Sequence, residues 1–460
     1  CDVAFVEALY KAGMNVVRLN TAHMMEEGLT RVVNNVRTVS DRIGILMDTK
    51  GPEVRTTTTV NKEPIPFKTG EIVKVIGNPD QETSHDCICV SYKNFVNDLA
   101  IGSDILIDDG DLEMKVTGKS GDCLLCEIQN DATLGSRKSV NVPGVRINLP
   151  SLTEKDRNNI LWAIDHDLDF IAHSFVRNKQ DVLDIQRILD ERNSPIKIIA
   201  KIENQEGVDN IEEILEVAYG VMIARGDLGI EVPAEKIPGI QRMLIRKCVE
   251  VKKPVIVATQ MLHSMINNPR PTRAETTDVA NAIYDGTSAT MLSGETAAGA
   301  YPVEAVKMMN QIAISTEVHL STKIKDYRSK YINRGISAAV AYSAVQTAHN
   351  VNAKCILASS MSGFTTRIVS KFKPDAQIIG LSPDDAIVRQ MQIYWGVRPF
   401  KSHKAETTKD LLDEATDIVL DAGLAEKDDI LVLTGGGPAN HRGKGVTNML
   451  KVIKIGEFGE

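Results

Sequence analysis

The sequence predicts an α/β protein built on a (β/α)8 barrel, a TIM barrel, and three observations carry that expectation. Short apolar segments alternate with amphipathic ones. Polar groups gather just past most of the apolar segments. One long stretch breaks this rhythm with strand-like segments alone.

The apolar segments read as strands at Met14 to Leu19, Ile43 to Met47, Phe170 to Ser174, Ile196 to Ile202, Gly220 to Ala224, Pro254 to Ala258 and Ala289 to Leu292. They are rich in β-branched residues and nearly continuous in apolar character, the pattern of parallel strands buried on both faces. Between them a 3.6-residue period marks helices at Val182 to Leu189, Ile211 to Ala218, Ile240 to Val251, Thr277 to Ile283 and Pro302 to Ala313. Alternation alone fits a doubly wound sheet or a barrel. The strand ends favour the barrel. Arg18 and Asn20, Asp48 and Lys50, Ser174, Lys201 and Glu203, Arg225 and Asp227, Thr259, and Ser293 and Glu295 follow in turn, with charge at five of the seven ends. A barrel brings all of these ends to one face, where such folds keep their chemistry. Seven strands do not close an eight-stranded barrel, and the chain opens in a helix, Ala4 to Lys11, so the first strand is expected to be missing from this chain.

The rhythm breaks between Thr56 and about Ile147. Strand-like segments at Glu71 to Ile76, Cys87 to Val90, Asp104 to Ile107, Leu112 to Val116 and Leu124 to Ile128 are separated by turns such as Asp109-Gly110 and Pro143-Gly144. They predict a small antiparallel β-barrel domain inserted into a barrel loop, a lid that excludes water or a structural decoration. The expected organisation is a barrel over 1–56 and 148–318, a lid over 57–147, and a C-terminal α/β domain over 319–460.

The net charge of −8 argues against nucleic acid as a partner. No apolar run approaches the roughly 20 residues that span a bilayer, so no membrane partner is expected. Cys1-Asp2-Val3-Ala4 lacks the regions of a signal peptide, and seven scattered cysteines fit reduced thiols, so the expected location is cytoplasmic. Cys87, Cys89, Cys123 and Cys126 leave two readings open, a zinc site or residues of alternating strands.

Lys201 and Glu203 stand two apart at a strand end and share an orientation. With Asp227 on the next strand they offer a carboxylate pair for Mg2+ and a lysine to neutralise a phosphoryl group in transfer. A structural salt bridge is the alternative. Arg225-Gly226-Asp227-Leu228-Gly229 turns sharply, and its backbone N–H groups can meet an anion. Asp48-Thr49-Lys50-Gly51-Pro52-Glu53-Val54-Arg55 is dense in charge, which fits phosphate and cation binding or a solvated loop.

Taken together, MNVVRLN, MDTKGPEVRT, IAKIENQEG, VMIARGDLGIEVP, KPVIVATQML, PRPTRAE and MLSGETAAGAYPVEAV resemble the pyruvate kinase family, in its order and along nearly the whole chain. The resemblance implies phosphoryl transfer between phosphoenolpyruvate and ADP, giving pyruvate and ATP, with residue roles by position. Lys201 would stabilise the phosphoryl group in flight. Glu203 and Asp227 would hold one Mg2+, and a second would travel with the nucleotide. Backbone at Gly226 and Asp227, with Thr259, would bind the substrate carboxylate, and Arg18 its phosphate. Asn20, His23, Arg55 and Lys138 would face the nucleotide. Thr259, Ser293 and Glu295 would serve the proton transfer that completes pyruvate. Asn20, Asp48 and Thr49 would hold K+, with Ala22 standing where the family has a serine and Glu53 being the residue type of potassium-dependent members.

In the C-terminal part, a helix from Ser337 to Ala348 leads to a strand from Cys355 to Ala358, then a hydroxyl-rich loop and a helix from Arg367. By resemblance Ser360, Ser362, Gly363, Phe364 and Thr365 match a site for the phosphate of an allosteric effector; a capped turn is the alternative reading. The loop Thr434-Gly435-Gly436-Gly437-Pro438 departs in composition from familiar effector loops. A homotetramer is implied by analogy. Two other classes compete: an aldolase on a similar barrel, which would lack the lid, Lys138 and the C-terminal domain, and a non-catalytic paralogue, which would have lost Lys201, Glu203 or Asp227.

Overall fold

The computed structural model describes residues 2–21, 24–320, 335–436 and 446–456. The central sheet starts with β1 (Val16–Asn20) and β2 (Gly44–Asp48). The chain then enters the lid: β3 (Val54–Arg55), β4 (Ile65–Phe67), β5 (Ile72–Ile76), β6 (Cys87–Cys89), β7 (Asp104–Ile107), β8 (Leu112–Ser120), β9 (Cys123–Ile128), β10 (Ala132–Leu134) and β11 (Ser139–Asn141). It returns as β12 (Phe170–His173), β13 (Lys197–Ile202), β14 (Gly220–Ala224), β15 (Val255–Ala258) and β16 (Ala289–Met291).

The seven central strands pair in parallel in the order β1-β2-β12-β13-β14-β15-β16. Each expected strand is present, with ends shifted by at most two residues. Among the described residues β16 and β1 do not pair with each other, so the curled sheet is open along that seam. The helices outside span it: Val3–Ala12 packs against both Glu26–Val39 and Pro302–Glu317. Gly13 ends the first of these helices at φ +116, and a Cβ there would lie 2.9 Å from Asn310 Nδ2.

Pleating sends alternate side chains to opposite sides of the sheet. Ile45, Met47, Ile171, Ile198, Val221 and Ile223 pack on the helices. Leu46, Phe170, Ile199, Met222 and Ile256 point inward. That inner cluster is completed by the C-terminal domain, a sheet of β17 (Cys355–Ser359), β18 (Gln377–Ser382), β19 (Val397–Lys401), β20 (Ile430–Gly435) and β21 (Met449–Lys454) in the order β19-β18-β17-β20-β21. Between β18 and β19, the helix Asp385–Gln390 and the turn Met391–Ile393 carry Ile387, Val388, Met391, Ile393 and Tyr394 into the inner cluster. The same segment is tied by charge. Arg389 Nε donates to Asp169 Oδ1 at 2.6 Å, and Asp169 Oδ2 also accepts from Arg37 Nη2 at 3.3 Å and from the N–H of Ile45 at 2.8 Å. Arg389 O lies 3.2 Å from where a Cβ on Gly44, the first residue of β2, would stand. The C-terminal domain therefore plugs the end where the strands begin and leaves the opposite mouth to the lid.

The lid is a sheet in the order β3-β11-β7-β8-β9-β5-β6 plus the pair β10-β4. It departs from expectation in two respects. β5 and β6 run parallel, with Lys74 opposite Cys87, because the long connection between them returns the chain to the same end. The sheet also begins at Val54, ahead of residue 57, because β3 pairs with β11. Strict alternation in β8 buries Leu112, Met114 and Val116 and exposes Glu113, Lys115 and Thr117. Cys89 and Cys126 are core residues here, and burial pushes both thiols up to about 12. No helix among the described residues is long and apolar enough to cross a membrane.

Candidate active site

At the C-terminal ends of the central strands, inward-pointing positions become charged. Arg18 in β1, Asp48 in β2 and Lys201 in β13 occupy them, followed by Glu203 just beyond β13. Lys201 Nζ lies 2.8 Å from Glu203 Oε1 and 3.5 Å from Asp48 Oδ2, and it donates to Ser174 Oγ at 2.8 Å. Arg18 Nε donates to the same Asp48 oxygen at 2.8 Å, and its Nη2 pairs there too. Burial opposes the Lys201 charge, but Asp48 and Glu203 outweigh it and hold the ammonium above its ordinary range. Burial likewise opposes ionisation of Asp48, and Lys201 and Arg18 outweigh that, so its carboxyl is held below the usual range.

Buried charges that are paired still carry costs when lone pairs go unused. Two oxygens do. Asp48 Oδ1 and Glu203 Oε1 are buried without a hydrogen-bond partner, the latter because Lys201, although close, lies off the line of a hydrogen bond. Glu203 Oε2 is occupied, accepting from the N–H of Phe175 at 2.7 Å. Asp227, half-buried at the next strand end, faces Glu203. Burial, then the Glu203 charge, push its carboxyl up to about 7. Among the described residues no group of three or more His, Cys, Asp or Glu comes together to hold a metal. The Glu203 and Asp227 carboxylates, with Glu203 Oε1 accepting no hydrogen bond, instead fit Mg2+, which takes one or two protein carboxylates and fills its shell with substrate oxygens and water.

This pair yields a pH prediction. Without metal, Asp227 favours its protonated form, so its contribution to stability is fully present below about pH 4 and is lost as pH rises through about 7. Mg2+ would bind the ionised form. Unfolding midpoints measured with and without Mg2+ should therefore show a larger Mg2+ stabilisation at pH 8 than at pH 6. Equal increments at both pH values would remove Asp227 from the site.

The far side of the mouth is set by strained backbone. Thr259 and Gln260 follow β15 at φ +73 and +56, which a β-branched residue adopts rarely. Arg225 holds that turn, donating from Nε to Ala258 O at 3.2 Å and from Nη2 to Thr259 O at 2.7 Å, while its Nη1 is anchored on Asp278 Oδ2 at 2.7 Å. Gly226 packs closely beside it, where a Cβ would approach Thr259 Cγ2 to 3.0 Å. Asp227 and Gly226 lie in the helix Arg225–Glu231.

The remaining expected residues are distributed unevenly. Asn20 lies opposite Asp48 in the pairing of β1 with β2. Thr49 follows Asp48, and its N–H donates to Ala172 O at 3.0 Å. Both oxygens of buried Glu295 accept backbone N–H groups, from Leu262 at 3.1 Å and Ser293 at 2.7 Å, so this carboxylate braces two turns. Arg55 lies in β3 and Lys138 just before β11, and both are engaged, Arg55 Nε with Glu53 at 2.7 Å and Lys138 Nζ with Asp108 at 2.5 Å. Ala22 and His23 lie outside the described residues, as do Gly437 and Pro438. In the C-terminal domain the helix starts at Phe364, three residues before the expected Arg367, so Thr365 and Thr366 lie in its first turn. Gly363 precedes it at φ +73, exposed Ser362 stands before that, and Ser360 Oγ accepts from the N–H of Thr365 at 3.3 Å.

Between lid and barrel is a cleft of about 440 Å³, lined by Asp109 and Asn141 from the lid and by Phe175, Asn204, Asp227 and Glu231 from the barrel. Asn141 Nδ2 reaches Glu231 Oε1 across it at 3.3 Å. Sequence reasoning missed the Phe175 N–H, Ser174 as the acceptor for Lys201, and Arg225 as a brace. Only Arg225 and Ser174 carried a signal, their place at strand ends.

The family model described as pyruvate kinase, barrel domain, matches residues 1–306, and the one described as pyruvate kinase, alpha/beta domain, matches 338–453. The chain is 46% identical to a pyruvate kinase of Staphylococcus epidermidis, covering 98% of this chain and 78% of the relative. It is also 46% identical to a pyruvate kinase of Bacillus licheniformis, covering 98% and 77%. The crystal structure of a pyruvate kinase from Cryptosporidium parvum superposes with a TM-score of 0.93 at 36% identity, covering 99% of this chain and 93% of that one. With both family models matched in order over most of its length, the chain belongs to the pyruvate kinase family.

Proposed function

We propose that the cluster at the strand ends carries out the reaction of this family, transfer of the phosphoryl group of phosphoenolpyruvate to ADP, with Lys201 at its centre. The observation that carries this is the Lys201 ammonium, buried where Ser174, Glu203 and Asp48 converge and kept charged by the two carboxylates. A fixed cation in a site shielded from water stabilises charge as it develops on a transferring phosphoryl group. Arg18, anchored on Asp48, binds the phosphate. The backbone at Gly226 and Asp227, with Thr259, receives the substrate carboxylate. Asn20, Arg55 and Lys138 would contact the nucleotide, the latter two from the lid, and the resemblance gives His23, outside the described residues, the same role. The bond from phosphorus to the enol oxygen breaks as the bond to a terminal ADP oxygen forms. The enolate left behind takes a proton from water at its methylene carbon, on the side of Thr259 and Ser293, with Glu295 holding the Ser293 backbone in place.

Glu203 and Asp227 would hold one Mg2+, with a second carried by the nucleotide; bound there, the ions supply charge neutralisation for the phosphoryl group. Asn20, Asp48 and Thr49 would hold K+, a role supported by the unused Asp48 Oδ1. Ser360, Ser362, Gly363, Phe364 and Thr365 would receive the phosphate of an allosteric effector. A homotetramer in the cytoplasm completes the reading.

Incubation with phosphoenolpyruvate, ADP and Mg2+ should release pyruvate. Omission of ADP or Mg2+ should abolish release, and replacing tetramethylammonium by K+ should raise it. Release independent of ADP would contradict the transfer reading, and indifference to K+ would remove the monovalent site.

A further inference from the structure

His173 closes β12, whose other residues are Phe170, Ile171 and Ala172, and like them it is buried. One ring nitrogen is engaged: Nδ1 lies 3.1 Å from Thr49 Oγ1. The other, Nε2, is buried without a hydrogen-bond partner among the described residues. A polar atom left in that condition costs free energy, and an apolar side chain would avoid the cost. Features that break a local rule in a folded protein tend to be retained for what they position.

What His173 holds is the start of a short chain of contacts. Thr49 Oγ1 also accepts from the N–H of Ser174 at 3.0 Å. The Ser174 hydroxyl donates to Thr49 O at 2.7 Å. With its proton committed there, Ser174 Oγ accepts from Lys201 Nζ at 2.8 Å. The next residue, Phe175, sits at φ +55 and gives its N–H to Glu203 Oε2 at 2.7 Å. Gly51 leaves room for this turn, since a Cβ there would lie 2.9 Å from Phe175 Cδ2 and 3.0 Å from Ser174 Cβ. Residues 174 and 175 thus orient the lysine and its carboxylate partner together, and Thr49 fixes the turn from behind.

We infer that His173 is a positioning residue, acting through Thr49 and Ser174 to set the direction in which Lys201 presents its ammonium. The inference rests on the role given to Lys201 above. It does not place His173 in contact with substrate. Misplacement of a stabilising charge by a fraction of an ångström lowers kcat while leaving ground-state binding nearly intact.

The test compares steady-state kinetics and thermal unfolding of the full chain as parent, His173→Leu, His173→Asn, Ser174→Ala and Lys201→Met. His173→Leu should lower kcat about 10-fold with both KM values within about twofold of the parent. Its unfolding temperature should change little, because losing the Thr49 contact and removing the unpartnered Nε2 act in opposite directions. His173→Asn, whose amide can meet Thr49 Oγ1 from the same side, should recover most of kcat. A purely structural histidine would give the opposite split, lower stability with kcat unchanged. A folded His173→Leu with kcat within about twofold of the parent, beside an inactive Lys201→Met, overturns the inference. Full activity in Lys201→Met overturns the lysine assignment instead. If His173→Leu does not fold, Ser174→Ala decides: a loss in kcat at constant KM supports the chain of contacts, and an unchanged kcat breaks it.

Discussion

Lys201→Met should lower kcat for phosphoryl transfer by about 10²–10³ or more, the range seen when one preorganised stabilising group is removed. Methionine has similar length and no charge. It keeps the packing of the stem but withdraws the ammonium from Ser174 Oγ, Glu203 Oε1 and Asp48 Oδ2. Asp48 retains Arg18, whereas Glu203 retains the Phe175 N–H and its neighbour Asp227 but loses its ion-pair partner. Losing one partner of a buried ion pair costs about 3–5 kcal/mol when the other is left uncompensated, so the variant should also be less stable. Saturating Mg2+ should offset part of that loss, since the cation can serve the two carboxylates. Lys201→Arg separates charge from geometry. It keeps the positive charge and should recover stability, yet a planar guanidinium cannot occupy the point where the ammonium sits, so activity should stay low. Kinetics and calorimetry on the three proteins check both parts. A Lys201→Arg variant as active as the parent would show that charge alone suffices.

The second large effect is expected far from the chemistry. Asp169→Ala removes a fully buried carboxylate that joins Arg37 of the barrel to Arg389 of the C-terminal plug. Two guanidinium groups would then face each other across the gap. A destabilisation of about 3–5 kcal/mol follows from uncompensated buried charge. Its form matters more than its size. The plug fills the inner barrel with Ile387, Met391 and Tyr394, so weakening its tie should let the C-terminal domain part from the barrel before the barrel melts. Trp395 reports that junction, with the Lys373 ammonium 4.9 Å from its ring centroid, and Trp162 reports the barrel. In urea, fluorescence of a Trp162→Phe background should show an earlier transition in Asp169→Ala than far-UV circular dichroism does. Coincident and unshifted transitions would mean that the triad is dispensable.

Much of this molecule is legible in its residues. Strands such as Gly220–Ala224 stand out because parallel barrel strands are apolar on both faces. The charged strand ends stand out because a buried segment has no other reason to finish in Lys201, Glu203 or Asp48. The lid was harder. β3, β4, β10 and β11 are two or three residues long, too short for a period-two signal, and β4 contains Pro66. The plug was not visible at all, since Arg389 and Asp169 are 220 residues apart and nothing local marks either as a partner. Glu295 shows a different limit. The resemblance implies a place for it in proton transfer, and that both its oxygens accept backbone N–H groups is a fact that needs coordinates. His173 reads as one polar interruption of an apolar strand, and its contact with Thr49, 124 residues earlier, gives it meaning.

Phosphorus NMR of the full chain with phosphoenolpyruvate, ADP and Mg2+, run beside Lys201→Met, tests the central claim most directly. The account predicts that the phosphoenolpyruvate resonance decays at the rate at which the γ-phosphate of ATP grows, and that both changes nearly stop in the variant. Growth of inorganic phosphate in place of ATP, or equal ATP formation in parent and variant, would contradict it.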